Sequence, residues 1–505
     1  MPGKPISSAD HAWLRMDNPN NLMVITGLMT FDTPLDYERF TSVIENSLLR
    51  FRRFSQRLVP SRIPGRRPYW EDDPRFDLAT HIERVTLPPP SDQKALQELI
   101  SLLMSTELDY TRPLWKFYLI ENYGSGSAFI ARLHHSIADG IALMQVLLSL
   151  TEPTPGNFPV SPSQAPWQSG YQTLPGGDQA AREPTKTLKS SSGVSKISTR
   201  GILNEGIRML FNPYLPVHRL RQGIDFAGAV RKIALRWPDP KTIFKGTLGK
   251  EKCAAWSEPL DLREIKFIGE TFNSTINDIL VTAVAGALGR YSEYRGVSAE
   301  DLNIRSFIPI NLRPVELDER LGNKFGLLFL SLPLGITDPV ERLDKIKQNM
   351  DELKSSAEAV ATFGIINLIG AVPTWIEEIA VDFFDTKGTT IMTNVPGPRS
   401  QLYLAGVPIN TIMAWVPQSG RISLGVSIIS YNGKVWLGVA TDQGMIPDPG
   451  TIVSMFDLEY KELLSRAQMA RAERLERLHP MFSMLDKTLQ TLDGLLAEME
   501  LNPRE

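Results

Sequence analysis

At roughly 100–200 residues per domain, a chain of 505 residues is expected to divide into two or three domains. Hydrophobic residues at 42% and charged residues at 22% supply enough apolar surface for a sizeable interior and exclude wholesale disorder. Lys and Arg total 54 against 57 Asp and Glu, a net charge of −3, and this excludes a general nucleic-acid binder, which needs a strong basic excess.

Residues 1–150 read as a first α/β domain. An apolar, β-prone run at 22–31 precedes a helical period at 35–50, with Phe40, Val43, Ile44 and Leu48 on one face. A second helical period covers 91–108, followed by two buried-strand candidates at 114–121 and 127–134. Asp139 then opens a helix expected to reach residue 150. Residues 151–245 are expected to be a linker, rich in Pro, Gly and Ser up to about 200 and partly helical beyond.

Residues 246–505 read as a second α/β domain with a helical tail. A long apolar helix is predicted at 276–294, strands at 303–311 and 325–334, and an amphipathic helix at 340–353. Further strands are predicted at 389–394, 411–416, 422–430 and 435–441, before a terminal helix from Pro449. Strand–helix–strand order on both sides of the linker suggests two similar domains facing one another. The most apolar later stretch, 363–384, is broken by Pro373 and carries Glu377 and Glu378, so no membrane span is expected.

The lone cysteine, Cys253, excludes an internal disulfide and a CxxC zinc site, and it suits a reducing, cytoplasmic setting. The first residues lack an apolar run of signal-peptide length, so export is not expected.

The segment FIARLHHSIADG, residues 129–140, carries the most chemistry. His134 and His135 end an apolar strand, where successive side chains point to opposite faces. One should face a cleft while its neighbour faces the protein. A neutral imidazole can accept a proton, as a general base must. The same residues also suit a structural strand end, with Asp139 as a helix N-cap, and spacing alone leaves both readings open. A metal site is the weaker reading, because His11, His81, His218 and His479 are scattered without i, i+4 pairing.

HHSIADG matches the HHxxxDG motif of acyltransferases that use coenzyme A or carrier thioesters. With Ser8-Ala-Asp-His-Ala-Trp-Leu-Arg-Met16, Arg112-Pro-Leu-Trp115, Asn277-Asp278 and Thr393-Asn-Val-Pro-Gly-Pro398, the chain resembles the bacterial wax ester synthase/acyl-CoA:diacylglycerol acyltransferase family over most of its length. The resemblance implies an α/β fold of two chloramphenicol-acetyltransferase-like domains with mixed sheets, joined by a linker, and an active-site channel at their interface. It implies His135 as general base, His134 and Asp139 as motif support, and no cofactor beyond acyl-CoA as co-substrate. The acceptor would be a long-chain alcohol or diacylglycerol. Asp139 would be turned from the channel and paired with an arginine, for which Arg305 and Arg313 are the candidates.

His135 would take the hydroxyl proton during attack on the thioester and return it to the departing thiolate. Asn394 is a candidate oxyanion donor or a turn cap. Asn277 and Asp278 are a substrate contact or a helix cap, and Gly140 allows a ligand to approach closely or relaxes the turn. No G-x-S-x-G elbow is present, so direct transfer without an acyl-enzyme is expected. Residues 50–70 hold seven arginines and no acid, which suits a solvated face, an anionic-lipid patch or a coenzyme A phosphate site. Apolar residues in 276–288 and 363–372 are candidate walls for an acyl tunnel or ordinary core. Peripheral contact with the inner membrane face or a lipid droplet is an extension of the same reading. Two alternatives stay open: a condensation-type enzyme using carrier-bound thioesters, and a non-catalytic lipid-droplet protein.

Overall fold

The computed structural model describes residues 4–63, 66–155, 231–232, 235–311, 323, 325–354, 362, 365 and 382–501. Most of the predicted linker, and the tunnel-wall candidates at 366–372, lie outside the described residues.

In chain order the first half forms α1 (Ser8–Met16), β1 (Val24–Phe31), α2 (Tyr37–Ser47), β2 (Gln56–Val59), β3 (Tyr69–Asp72) and β4 (Ile82–Val85). Next come α3 (Gln93–Met104), β5 (Trp115–Tyr123), β6 (Gly126–His134) and α4 (Gly140–Leu148). The second half forms β7 (Lys252–Trp256), α5 (Leu262–Phe272), α6 (Ile276–Tyr294), β8 (Asn303–Asn311), β9 (Phe325–Pro333) and α7 (Pro339–Lys354). It ends with β10 (Thr390–Pro396), β11 (Thr411–Trp415), β12 (Leu424–Tyr431), β13 (Lys434–Asp442) and α8 (Pro449–Leu501).

Two mixed sheets result. The first has the order β11-β1-β6-β5-β4, antiparallel except between β4 and β5. The second runs β9-β8-β10-β12-β13-β7, with parallel pairing of β10 to both neighbours. β1 and β6 are buried along their whole length, which is why both read as continuous apolar runs rather than alternating ones.

The linear division at residue 246 fails at β11. Thr411–Trp415 was expected in the second domain, yet it pairs with β1 from Thr411 opposite Thr30 to Trp415 opposite Thr26. Trp415 and Ile412 therefore belong to the core of the first sheet. The second half covers the open edge of the first sheet, and an edge with unpaired N–H and C=O groups is a liability that such a loan removes.

The second core gathers around α6, a helix apolar on almost every side and buried as such helices are. Thr275 starts it with a capping box: Asp278 N donates to Thr275 Oγ1 at 3.2 Å and Thr275 N to Asp278 Oδ2 at 2.9 Å. Gly286 leaves room on α6 for a buried ion pair between Arg342 of α7 and Glu459 of α8, whose Nη1 and Oε2 are 2.6 Å apart. The walls predicted from 276–288 thus pack into this core, and none of these residues reaches the central cavity described below.

Candidate active site

β6 ends at His134, and α4 begins after Asp139, so the motif occupies the turn between strand and helix. The two histidines part there. His134 is sealed in the protein, where Ser136 N donates to its Nδ1 at 3.0 Å. A nitrogen that accepts from an amide carries no proton, so the neutral ring is protonated at Nε2, which faces Asp17 Oδ2 at 3.4 Å. Asp17 is held in turn by the Met23 amide at 2.6 Å and the Tyr110 hydroxyl. His134 N also donates to Leu114 O at 3.0 Å, which gives the Arg112-Pro-Leu-Trp115 segment a supporting part.

His135 turns the other way. Its amide donates to Met23 O at 2.7 Å, its ring stacks on Trp13 of α1 with centroids 4.3 Å apart, and Phe325 of β9 packs at 5.9 Å. Nδ1 is buried with no hydrogen-bond partner. The residue forms part of the wall of a cavity of about 210 Å³, lined from both halves by residues such as Ile25, Gly27, Phe307 and Ile391. Burial pushes the His135 imidazole down to about 4, against the opposing pull of the Asp139 carboxylate, so the ring is neutral at pH 7.

Asp139 caps α4, its carboxylate accepting from Ala142 N at 2.9 Å, and the residue also forms part of the cavity wall. Arg305 is not its partner: Arg305 Nη1 lies 3.2 Å from Asp239 Oδ1 and donates to Trp237 O at 2.9 Å. Arg313 lies outside the described residues. Gly140 lines the cavity, and a Cβ there would meet only Ile25 Cδ1 at 3.7 Å.

Asn394 is also on the cavity wall, and its Nδ2 donates to Asn277 Oδ1 at 2.7 Å. That bond brings two of the predicted residues together and leaves one amide hydrogen of Asn394 uncommitted by it. Asp278 is elsewhere: its Oδ2 closes the capping box at the start of α6 and the residue does not line the cavity, so the helix-cap reading holds for it.

Three residues of this region escaped the sequence reading. Trp13 lay within a matched motif but had no stated role. Asn323 donates both amide hydrogens, to Asp10 Oδ1 and to His135 O at 2.8 Å each, and so clamps α1, the histidine turn and the second half together. Asp385 lines the cavity and accepts from Arg421 N at 3.1 Å, and burial pushes its carboxyl up to about 7. Only the Ser7-x-x-Asp10 spacing, a helix-start signal, was legible here, and Ser7 Oγ indeed accepts from Asp10 N at 3.0 Å.

Several side chains of the arginine-rich stretch have partners within the protein, although most of its arginines are exposed. Arg52 pairs with Asp72 at 2.5 Å, Arg57 with Glu71 at 3.8 Å, and Arg53 lies over the Trp70 ring at 4.1 Å. Arg50, Arg52, Arg62, Arg66 and Arg67 are exposed.

A model of the wax ester synthase/diacylglycerol acyltransferase catalytic domain matches residues 6–280, and one of the WS/DGAT C-terminal domain matches 321–464. The chain belongs to this family. This acyltransferase is 27% identical over 480 residues to a Mycobacterium tuberculosis protein named a diacylglycerol O-acyltransferase, covering 91% of this chain and 90% of that one. Another protein of that species and name, tgs1, is 24% identical over 446 residues, covering 85% and 89%. Among solved structures it resembles the wax ester synthase/diacylglycerol acyltransferase of Marinobacter aquaeolei VT8 at a TM-score of 0.64 and 20% identity, covering 92% of this chain and 100% of that chain. The first condensation domain of the calcium-dependent antibiotic synthetase follows the same fold at a TM-score of 0.56 and 13% identity, covering 92% and 96%.

The family segments of the acyltransferase place Trp13 and His135 in the catalytic match and Asn323, Asp385 and Asn394 in the C-terminal match. Its Cys253 is half-buried, and burial raises its thiol, the reverse of what a nucleophile needs. Among the described residues no group of three or more His, Cys, Asp or Glu could hold a metal ion, and no helix is long and apolar enough to cross a membrane.

Proposed function

We propose that the enzyme transfers a long-chain acyl group from coenzyme A to the hydroxyl of a fatty alcohol or diacylglycerol, with His135 as general base. One observation carries the reading: a neutral imidazole stands in the wall of a largely apolar cavity, in the fold of this acyltransferase family. Nδ1 is buried, so Nε2 is the nitrogen that meets the acceptor, and it accepts in the tautomer whose proton is on Nδ1. As the acceptor oxygen bonds to the thioester carbonyl carbon, its proton passes to Nε2. The tetrahedral oxyanion collapses, the C–S bond breaks, and His135 returns the proton to the thiolate, giving ester and free thiol. Such proton transfer contributes roughly 10²–10⁴-fold.

The acceptor need not be acidic, because the base acts during attack rather than before it. Asn394, on the same cavity's wall, offers an amide hydrogen to the oxyanion. The acyl chain gains at most about 0.8 kcal/mol per buried methylene from the apolar wall. Transfer is direct, with both substrates bound at once. Arg62 and Arg66, beside the exposed Ile63 between β2 and β3, supply the contact with an anionic membrane face or lipid droplet.

The test is thiol release from palmitoyl-CoA with hexadecanol and with dioleoylglycerol. Acceptor-dependent release with either is expected. Absence of release with both, or an equal burst of thiol without acceptor, would overturn the reading.

A further inference from the structure

α8 has two parts with different surroundings. Its first turns set Ile452, Phe456, Tyr460 and Leu463 into the second core, and Arg471 still lies over the Phe267 ring at 5.2 Å. Beyond that point the helix continues to Leu501, while the family's C-terminal domain ends at residue 464. The distal part lies beyond that match, and its apolar side chains are uncovered: Leu475 is 60% exposed, Leu485 55%, Leu489 51% and Leu492 50%.

The spacing of the apolar residues identifies what would cover them. From Leu475 the steps of three and four fall on Leu478, Phe482, Leu485, Leu489 and Leu492. That is the 3.5-residue period of a two-helix seam, with the exposed Met481 and Met484 beside it. Pro480 sits two residues from both Leu478 and Phe482, on the face opposite the stripe, so its missing N–H is outside the seam. An extended helix without packing is marginal in water, so the exposed stripe calls for a partner.

Charge selects the partner and its direction. Residues 471–480 carry Arg471, Arg474 and Arg477 against Glu473 and Glu476, a net +1. Residues 481–501 carry Asp486, Asp493, Glu498 and Glu500 against Lys487, a net −3. The acidic half would be repelled by an anionic lipid surface, and parallel pairing would set it against its own copy. Antiparallel pairing sets the basic half against the acidic half.

We propose that residues 475–492 are a docking face for a second copy of this chain, paired antiparallel as a two-helix coil. In that register Leu475 of one copy meets Leu492 of the other. The inference is independent of the acyl-transfer chemistry, because no residue of the stripe lines the cavity.

Light scattering on the full-length protein tests it, comparing wild type with Leu485→Glu/Leu489→Glu. The wild type should have the mass of two chains and the variant that of one, with thiol release unchanged within about twofold and weaker pairing at high salt. A second measurement keeps side chains apolar: in a Cys253→Ser background, Leu475→Cys/Leu492→Cys should oxidise to a covalent dimer. Leu475→Cys alone should not, since antiparallel copies hold those positions about 25 Å apart at 1.5 Å per residue. A single-chain wild type, a dimer that survives the double Glu substitution, or cross-linking of Leu475→Cys to itself would each overturn the proposal. So would a monomer that floats with phosphatidylglycerol vesicles through the same stripe.

Discussion

The seam beneath α6 and the wall around His135 bury polar groups to similar depth and treat them in opposite ways. In the seam, Arg342 and Glu459 are each 1% exposed and satisfy one another at 2.6 Å, while Arg342 also donates to Ile336 O and Thr337 O at 3.0 Å each. Around His135 a buried ring nitrogen has no partner, and its neighbours are aromatic. A buried ion pair with every group matched holds elements together, whereas an imidazole with an unmatched nitrogen, set among aromatic rings beside a cavity, is not spent on holding the fold. The contrast separates scaffold from site more sharply than burial alone.

Four substitutions sharpen or break it. Gly286→Ala should act most strongly, because the new Cβ would lie 1.7 Å from Arg342 Nη1 and 2.3 Å from Glu459 Oε2. Displacing that pair should cost roughly 3–5 kcal/mol, read as a lower urea midpoint. Asn323→Ala should cost about 1.5–3 kcal/mol, since it removes the bond to the Asp10 carboxylate and frees His135 O, and it should slow thiol release without removing the base.

Asp385→Asn tests the exception on the second half's side of the cavity. The folded carboxyl titrates at about 7, above its ordinary value of 3.8, so the folded state keeps a proton the unfolded chain has lost. Wild-type stability is therefore lost as pH rises from about 4, and the loss levels off above about 7. The variant should show a stability gain over wild type that grows across that window, measured as melting temperature against pH. Gly140→Ala should have the smallest effect on folding, under about 1 kcal/mol, because its Cβ meets only one ordinary contact. It narrows the cavity instead, so a raised KM for the acceptor with an unchanged melting temperature is expected.

Much of the fold was legible because periodicity is local. The strand at 303–311 and the helix at 276–294 coincide with β8 and α6, whose apolar patterns needed no partner to be read. β4 was missed because Glu83 and Arg84 interrupt four residues that alternate poorly. β2 and β3 were missed because the arginines in and before β2 read as a solvated charge run, and the acids that pair with Arg57 and Arg52, Glu71 and Asp72, lie just past residue 70. β11 has a strand's pattern, but nothing in five residues says which sheet it joins.

The site shows the same boundary. The alternation of a strand foretold that His134 and His135 would face different ways, and they do. The link from Asp10 through Asn323 to His135 spans 313 and 188 positions, and no local spacing encodes it. Arg305 was a candidate partner for Asp139 only through the resemblance, and its actual partner Asp239 came from a segment with no periodicity of its own.

The central claim is that the His135 imidazole takes the acceptor's proton. Acceptor-dependent thiol release from palmitoyl-CoA by His135→Ala tests it most directly, with circular dichroism confirming that the variant is folded. A fall of about 10²–10⁴-fold in kcat is the expected result. A folded variant that releases thiol at the wild-type rate would contradict it.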